Sequence, residues 1–205
     1  MNSTDTIIAF DLHSVVFTPN WHEIIKIFWH WPHKLLILAC FFRFRFIWQC
    51  LTLFFHEPTD EEFFALFHER CPKLLPLAIA MFNSFEPMDG TVEILKELKA
   101  KGYVLHIASN VGPRRFKRLK ERFPLIMNLF DDAKTNNGKA NGIIKKPNPQ
   151  FFIEYLRDYN PTHKKVIFID DNKHNVKAAR AFGIIGIDFK SPCQLRQALV
   201  QLQIL

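Results

Sequence analysis

Three short apolar runs, rich in β-branched and aromatic residues, each end in a cluster of polar side chains. They are TIIAFDL at 6–12, GYVLHIASN at 102–110 and KKVIFIDDN at 164–172. Amphipathic helical patterns lie between and after them. Buried strands that alternate with helices are typical of a parallel sheet covered on both faces. The sequence therefore predicts an α/β fold whose core is a Rossmann-like, doubly wound parallel sheet.

The helical segments carry ordinary start and stop signals. Helices are predicted over 90–102, 147–160, 175–183 and 191–205, and a fourth strand over 183–189. A glycine ends the first of these helices, a proline opens the second and a serine caps the last. These signals place each predicted helix next to a predicted strand.

Residues 16–87 break this rhythm. They hold all four tryptophans and thirteen of the 22 phenylalanines, and no strand signal recurs in them. We interpret 18–86 as an all-helical, aromatic-rich cap with its own core, inserted after the first strand. The catalytic core would then comprise residues 1–17 and 87–205.

The polar clusters follow strands that are far apart in sequence. In open parallel sheets, ligands bind beyond the carboxyl ends of the strands, near the point where the strand order reverses. That rule predicts that Asp11, Ser109, Asp170 and Asp171 meet in one crevice.

The residue types in this crevice suit phosphoryl transfer. The carboxylate after the first strand can act as a nucleophile, and Asp170 and Asp171 offer the oxygen ligands that Mg²⁺ prefers. Ser109 and Asn110 add hydroxyl and amide donors, and Lys146 can neutralise charge on the nucleophile and on the transferring group.

Four segments in order resemble the four motifs of the haloacid dehalogenase superfamily. They are FDLHSVVF at 10–17, HIASN at 106–110, KKPNPQFF at 145–152 and VIFIDDNKHN at 166–175. The insertion after the first motif is similar in position to that superfamily's cap. The last motif and the residues after it further resemble sugar-phosphate phosphatases and the phosphatase domain of epoxide hydrolases.

The resemblance implies a phosphatase that forms an aspartyl-phosphate on Asp11. It makes Ser109, with Asn110, the donor to the phosphate oxygens, and Lys146 the orienting cation. The expected substrate is a small or amphipathic phosphate ester.

The same resemblance implies a Mg²⁺ site. Asp11 and Asp171 would be its carboxylate ligands, and residue 13 would contribute its backbone carbonyl. Asp170 would be an auxiliary ligand, and Asn175 would hydrogen-bond near the site.

His13 stands where many phosphatases of the superfamily have an aspartate that moves protons. Three interpretations stay open. The imidazole can do the same acid–base work near neutral pH. Alternatively, His13 is a bystander in a slower enzyme, or the enzyme has moved to another reaction, as dehalogenases have. The pair Asp170–Asp171 favours magnesium chemistry.

Two further segments have two or more interpretations. The basic segment GPRRFKRLKERF at 112–123 is either a solvated amphipathic face or a rim that attracts an anionic substrate or lipid. The apolar segment 34–55 contains Arg43 and Arg45 in mid-run, which disfavours a membrane span. It is a buried cap helix, an interfacial helix or a surface that docks a membrane or protein partner.

Composition bears on the ligand, the cellular compartment and the rival functions. The net charge of +7 favours anionic ligands, but no nucleic-acid recognition motif accompanies it, so no nucleic acid is expected. The four cysteines lack metal-ligand spacing and are expected to be reduced thiols. We predict no secretion signal and a cytoplasmic protein, with peripheral membrane attachment left open. The rival functions are a non-catalytic or weakly catalytic binding protein whose cap engages a partner, and a dehalogenase-type hydrolase.

Overall fold

The computed structural model describes residues 3–30, 65, 68–69, 72–136 and 144–205. The chain divides into two compact units. The core unit comprises Met1–Phe17 and Pro87–Leu205, and the inserted unit comprises Thr18–Glu86. The apolar segment 34–55 lies outside the described residues.

The described residues form seven strands and eight α-helices. The strands are β1 Thr6–Phe10, β2 Phe17–Pro19, β3 Phe85–Pro87, β4 Val104–Ala108, β5 Asp132–Lys134, β6 Lys165–Asp170 and β7 Ile185–Asp188. The helices are α1 Trp21–His30, α2 Leu75–Asn83, α3 Asp89–Ala100, α4 Pro113–Arg122, α5 Pro124–Met127, α6 Pro149–Tyr159, α7 Lys173–Arg180 and α8 Pro192–Gln201. Short 3-10 turns cover Ser3–Asp5 and Pro72–Leu74.

The core unit is built on a five-stranded sheet in the order β5-β4-β1-β6-β7. Every pairing in it is parallel, and β1 lies at the centre with all five of its residues buried. The chain runs outward from β1 to β4 and β5, then returns to the other side with β6 and β7. This order confirms the predicted α/β fold with a parallel, Rossmann-like sheet.

Helices cover the sheet because its residues are apolar on both faces. On one face, α6 packs Phe151, Phe152 and Tyr155 against Ile7 and Phe168 of the strands. Elsewhere α3 contacts both β4 and α8. The leucines at these contacts are fully or almost fully buried: Leu95, Leu98, Leu195 and Leu199.

Three strands were not predicted from the sequence: β2, β3 and β5. Each has only three residues, and β5 reads Asp-Ala-Lys, which lacks the apolar signal of a buried strand. The strand β5 lies at an edge of the sheet, where one side of a strand needs no partner.

The inserted unit contains α1, a 3-10 turn and α2, and α1 packs against α2. Its entry and exit are tied together, because the Asn20 backbone N–H donates to the Ser84 carbonyl at 2.6 Å and the Asn20 amide donates to the Glu86 carboxylate at 2.6 Å. Among the described residues, no helix has both the length and the apolar character needed to cross a membrane. That this unit acts as a cap stays a prediction.

Candidate active site

Three adjacent parallel strands bring their final polar residues to one edge of the sheet. Asp11 follows β1, Ser109 follows β4, and Asp170 is the last residue of β6. All three side chains are buried, with 4%, 3% and 0% exposure respectively. Asp11, Ser109 and Asp170 therefore lie at the edge of the sheet where the strand order predicted them.

Lys146 is the electrostatic centre of this cluster. Its Nζ donates to Asp11 Oδ1 at 2.9 Å and to Asp170 Oδ2 at 2.6 Å, and its side chain is completely buried. The ammonium also lies 5.2 Å from the centre of the Phe168 ring. A buried charge is stable only when it is paired, so Lys146 and the two carboxylates depend on one another.

Asn110 fixes the backbone of Lys146. Its side-chain Nδ2 donates to the Lys146 carbonyl at 3.0 Å, and its Oδ1 accepts from the Lys146 N–H at 2.7 Å. These two bonds use the side-chain amide that the sequence suggested as a phosphate donor, and its role towards phosphate stays a prediction. The loop after β4 and the loop before α6 are thereby joined.

Besides Lys146, two donor groups hold the Asp170 carboxylate. The Asn172 N–H donates to Oδ1 at 2.8 Å, and Asn175 Nδ2 lies 3.1 and 3.2 Å from the two carboxylate oxygens. Asn172 also caps α7, because its side chain accepts from the His174 N–H. The start of α7 thus orients Asp170, and both oxygens of this carboxylate are engaged.

Ser109 follows β4, which lies beside β1 on the side opposite to β6. Its N–H donates to the Lys134 carbonyl of β5 at 3.0 Å, and its Oγ accepts from the Val111 N–H at 3.4 Å. With its oxygen accepting from the backbone, the hydroxyl hydrogen is available to donate to a ligand oxygen. Sequence reasoning placed Ser109 correctly at this edge but could not show its contact with β5.

The residues present fit a divalent metal ion. Oxygen atoms of Asp11, Asp170 and Asp171 all lie within 4.8 Å of one another. Three carboxylates and one lysine leave a net charge of −2, which a single divalent cation neutralises. Carboxylate oxygens are hard ligands that suit Mg²⁺. Of the three residues, Asp171 is the most exposed to solvent.

His13 lies in a tight turn that follows Asp11. The turn is closed by a bond from the Ser14 N–H to the Phe17 carbonyl at 2.7 Å, and Ser14 has a positive φ of 59°. The Ser14 hydroxyl lies 2.9 Å from His13 Nδ1 and orients the ring. The ring keeps an exposed surface, although protein atoms surround it.

The pKa of His13 is lowered to about 4. Desolvation by the surrounding protein is the main cause, and the positive charge of Arg115 adds to it. Asp11 opposes this shift, and Lys146 supports it weakly. The imidazole is therefore neutral at physiological pH.

Arg115 was not singled out from the sequence. It lies in the first turn of α4, within the basic segment, and is half-buried. The sequence signal was a run of cations, which does not tell which of them affects the pKa of His13. Ser14 and Asn172 were missed as well, and only their proximity in sequence to Asp11 and Asp170 could have indicated them.

A family model described as haloacid dehalogenase-like hydrolase matches residues 47–183. The chain belongs to this family. The match covers more than half of the chain and includes Ser109, Lys146, Asp170 and Asp171, whereas Asp11 precedes it. The predicted superfamily is therefore confirmed, and the protein is a hydrolase of that family.

Of two curated relatives, one is a phosphatase by name and the other a flavin mononucleotide hydrolase. A sesquiterpene phosphatase of Aspergillus oryzae is 30% identical over 108 residues, which are 51% of this chain and 53% of the relative. The match thus spans about half the length of that protein. A chloroplast flavin mononucleotide hydrolase of Arabidopsis thaliana is 24% identical over 205 residues, covering 97% of this chain and 78% of the relative.

A solved structure supports the fold. It is a HAD family enzyme of Bacteroides thetaiotaomicron in complex with magnesium and inorganic phosphate. The TM-score is 0.59 at 20% identity, and the alignment covers 91% of this chain and 94% of that one. At this identity the likeness concerns the fold, and the chemistry has to be argued from the residues of this chain.

Proposed function

We propose that this protein is a Mg²⁺-dependent phosphatase that forms an aspartyl-phosphate on Asp11. The observation that carries the proposal is the buried Lys146 ammonium that bridges Asp11 and Asp170, with Asp171 beside them. This arrangement holds a carboxylate in place at the ligand-binding edge of a parallel sheet. The names of the two relatives support phosphate esters as the class of substrate.

Asp11 is the nucleophile in this proposal. Lys146 binds Oδ1, so Oδ2 is the oxygen that attacks phosphorus. The new Asp11–phosphorus bond forms as the ester P–O bond breaks, and the leaving oxygen takes up a proton from solvent. Water then attacks phosphorus, inorganic phosphate is released, and the Asp11 carboxylate is restored.

Mg²⁺ would be held by the carboxylates of Asp11 and Asp171 and by the backbone carbonyl of His13. When bound, it would neutralise charge on the phosphoryl oxygens. Asp170 has both oxygens engaged by protein donors, so we assign it the role of orienting Lys146, with metal contact only as an auxiliary ligand. Asn175 keeps Asp170 in that orientation.

Ser109 would donate its hydroxyl hydrogen to a phosphoryl oxygen, while Asn110 positions Lys146 through the backbone. His13 would move the proton of the attacking water, because its ring is held by Ser14 close to Asp11. The replacement of an expected aspartate by an imidazole keeps a group capable of proton transfer at this place.

The substrate we propose is an amphipathic phosphate ester. A sesquiterpene phosphatase and a flavin mononucleotide hydrolase are both named for substrates with large apolar or aromatic groups. The inserted unit of this chain is correspondingly rich in aromatic residues. A membrane or protein partner for that unit, and peripheral attachment of a cytoplasmic protein, stay predictions.

The decisive experiment is hydrolysis of para-nitrophenyl phosphate with Mg²⁺ and with a chelator. We expect activity that needs Mg²⁺ and that disappears in Asp11→Asn. Asp188→Asn is the matched control, because Asp188 also ends a strand at this edge but pairs with Lys190 outside the cluster. His13→Ala and His13→Asp show how much proton transfer the imidazole contributes.

A chemical test identifies the intermediate itself. Borohydride reduces an acyl phosphate to an alcohol, so brief treatment during turnover should convert Asp11 to homoserine, visible by peptide mass spectrometry. Unreduced Asp11 together with a wild type that hydrolyses no phosphate ester would contradict the proposal. Activity towards a haloacid that survives the chelator would favour the dehalogenase alternative instead.

A further inference from the structure

The helix α4 presents a dense positive charge to solvent. Its ten residues include six arginines or lysines and one acidic residue, Glu121, so six positive charges and one negative charge leave a net charge of +5. The carboxylate balances little of this charge, because it lies 3.9 Å from the Lys117 ammonium and both side chains are mostly exposed. Five of the cations are exposed: Arg114, Lys117, Arg118, Lys120 and Arg122.

The apolar side of α4 holds the helix on the core unit. Leu119 is buried, and the Phe123 ring that follows the helix packs on Phe17 with 5.1 Å between ring centres. The Lys120 Nζ lies 4.8 Å from the centre of the half-buried Phe116 ring. Because packing fixes the apolar side against the protein, the basic residues occupy the solvent side of a helix about 15 Å long.

An exposed leucine adjoins this basic helix. Leu125 is 86% exposed, the highest value among the large apolar side chains that the structure describes. It lies in α5, which follows α4 after Phe123. Met127 of the same short helix is buried, so α5 is anchored in the protein while the Leu125 side chain stays in water. Transfer of a leucine from water to an apolar medium is favourable, so this position favours an apolar partner.

A bilayer that contains anionic lipids offers a partner for both features. Its headgroups attract lysine and arginine side chains, and the acyl boundary beneath them takes up apolar ones. A nucleic acid would match the charge of α4 but would give Leu125 no apolar medium, and the sequence has no nucleic-acid recognition motif. The combination of charge and exposed leucine therefore favours a lipid surface.

We propose that α4 and Leu125 form a docking surface for the anionic face of a lipid bilayer. The exposed cations would lie on the headgroups, and Leu125 would enter the boundary of the acyl region. The helix begins at Pro113, four residues after Ser109, and such a stretch of chain spans at most about 14 Å. Docking would thus hold the candidate active site close to the membrane. The inference does not depend on the proposed phosphatase activity.

Co-sedimentation of the full chain with vesicles tests the docking surface. We expect binding to vesicles of phosphatidylcholine mixed with phosphatidylserine, little binding to phosphatidylcholine alone, and loss of binding as the salt concentration rises. In the double variant Arg114→Gln with Lys117→Gln, the partition coefficient for the mixed vesicles should fall roughly 10–30-fold, the value of two basic residues at an anionic surface.

The matched control is Lys96→Gln with Lys101→Gln. It removes the same two charges from exposed positions on and beside α3, and Lys101 has a similarly long contact with a carboxylate, 3.8 Å from Glu97. We expect the control to bind the mixed vesicles almost as the wild type does. An equal loss in the control would assign binding to the overall charge of the protein and would overturn the inference.

Leu125→Ser tests the apolar part of the surface without a change in charge. It should weaken binding to the mixed vesicles about tenfold, whereas a polyanion in water should bind this variant and the wild type alike. Fluorescence anisotropy with a labelled oligonucleotide measures that alternative. Absence of wild-type binding to the mixed vesicles would overturn the inference. Unchanged vesicle binding in Leu125→Ser together with tight oligonucleotide binding would also do so and would assign α4 to nucleic acid.

Two measurements keep this inference separate from the fold and from the proposed function. The denaturation midpoints of all these variants should match that of the wild type, because the substituted side chains are exposed. Hydrolysis of para-nitrophenyl phosphate in solution should be equal in the wild type and in Arg114→Gln with Lys117→Gln. A wild type without this activity would contradict the proposed phosphatase, while vesicle binding would still decide whether α4 docks on a membrane.

Discussion

Replacement of Lys146 by methionine tests whether the buried cation organises the core of the site. Methionine keeps the length and apolar stem of the side chain but removes the ammonium. The ammonium contacts lie at 2.9 and 2.6 Å from Asp11 and Asp170. At an effective dielectric constant of about 20, each contact is worth roughly 6 kcal/mol before the cost of desolvation is subtracted.

The net effect is smaller, because Lys146 also loses hydration on folding. Removing one partner of a buried ion pair usually costs about 3–5 kcal/mol, since the other partner is left buried and uncompensated. Asp170, completely buried, would keep the Asn172 and Asn175 donors but would face Asp11 without a cation between them. We therefore expect the free energy of unfolding to fall by about 3–5 kcal/mol at neutral pH.

The assay is urea denaturation followed by circular dichroism, with chelator present so that metal binding does not contribute. Lys145→Met is the control: it removes the same charge from the adjacent, half-buried lysine and should cost less than about 1 kcal/mol. In the double variant Lys146→Met with Asp170→Asn, the loss should be smaller than the sum of the single losses. A loss below about 1 kcal/mol for Lys146→Met, or strict additivity, would refute the reasoning.

Two further predictions concern the fold around the site. Desolvation lowers the pKa of buried His106, whose Nδ1 lies 3.1 Å from the Tyr155 hydroxyl. The unfolded chain then binds a proton more readily than the folded one, so the free energy of unfolding should fall as the pH drops below about 6.5. His106→Gln should make the denaturation midpoint depend less on pH between pH 7.5 and 5.5. Gly186→Ala would place a Cβ 2.7 Å from Val176 Cγ1 and should lower the free energy of unfolding by about 1–3 kcal/mol. In a Val176→Ala background, the same Gly186→Ala substitution should cost less, because the clashing methyl group is absent. An equal cost in both backgrounds would show that this clash is not the cause.

The central strands could be predicted because their own apolar residues favour a buried strand. Strand β1 is apolar in all five residues, and such runs form buried parallel strands whatever lies around them. The edge strand β5 could not be predicted, since Asp-Ala-Lys becomes a strand only through its pairing with β4. The central strands could therefore be predicted from local sequence patterns, whereas the edge strand depends on its tertiary contacts.

The candidate site divides in the same way. The meeting of Asp11, Ser109 and Asp170 follows from strand order alone. The bonds between Asn110 and Lys146 depend on side-chain directions in loops that are distant in sequence. No spacing rule connects such residues, because the loops between parallel strands differ in length and conformation from one protein to the next.

The identity of residue 13 affects both the charge of the site and the group proposed to move a proton. An aspartate at position 13 would add a fourth negative charge to those of Asp11, Asp170 and Asp171. The neutral imidazole leaves the cluster with three carboxylates and one lysine, which a single divalent cation balances. With an aspartate there, the same cation would leave one negative charge uncompensated, and that charge would repel an anionic substrate. In this chain, the imidazole at position 13 therefore favours an anionic substrate, at the same place where it changes the group proposed to move the proton.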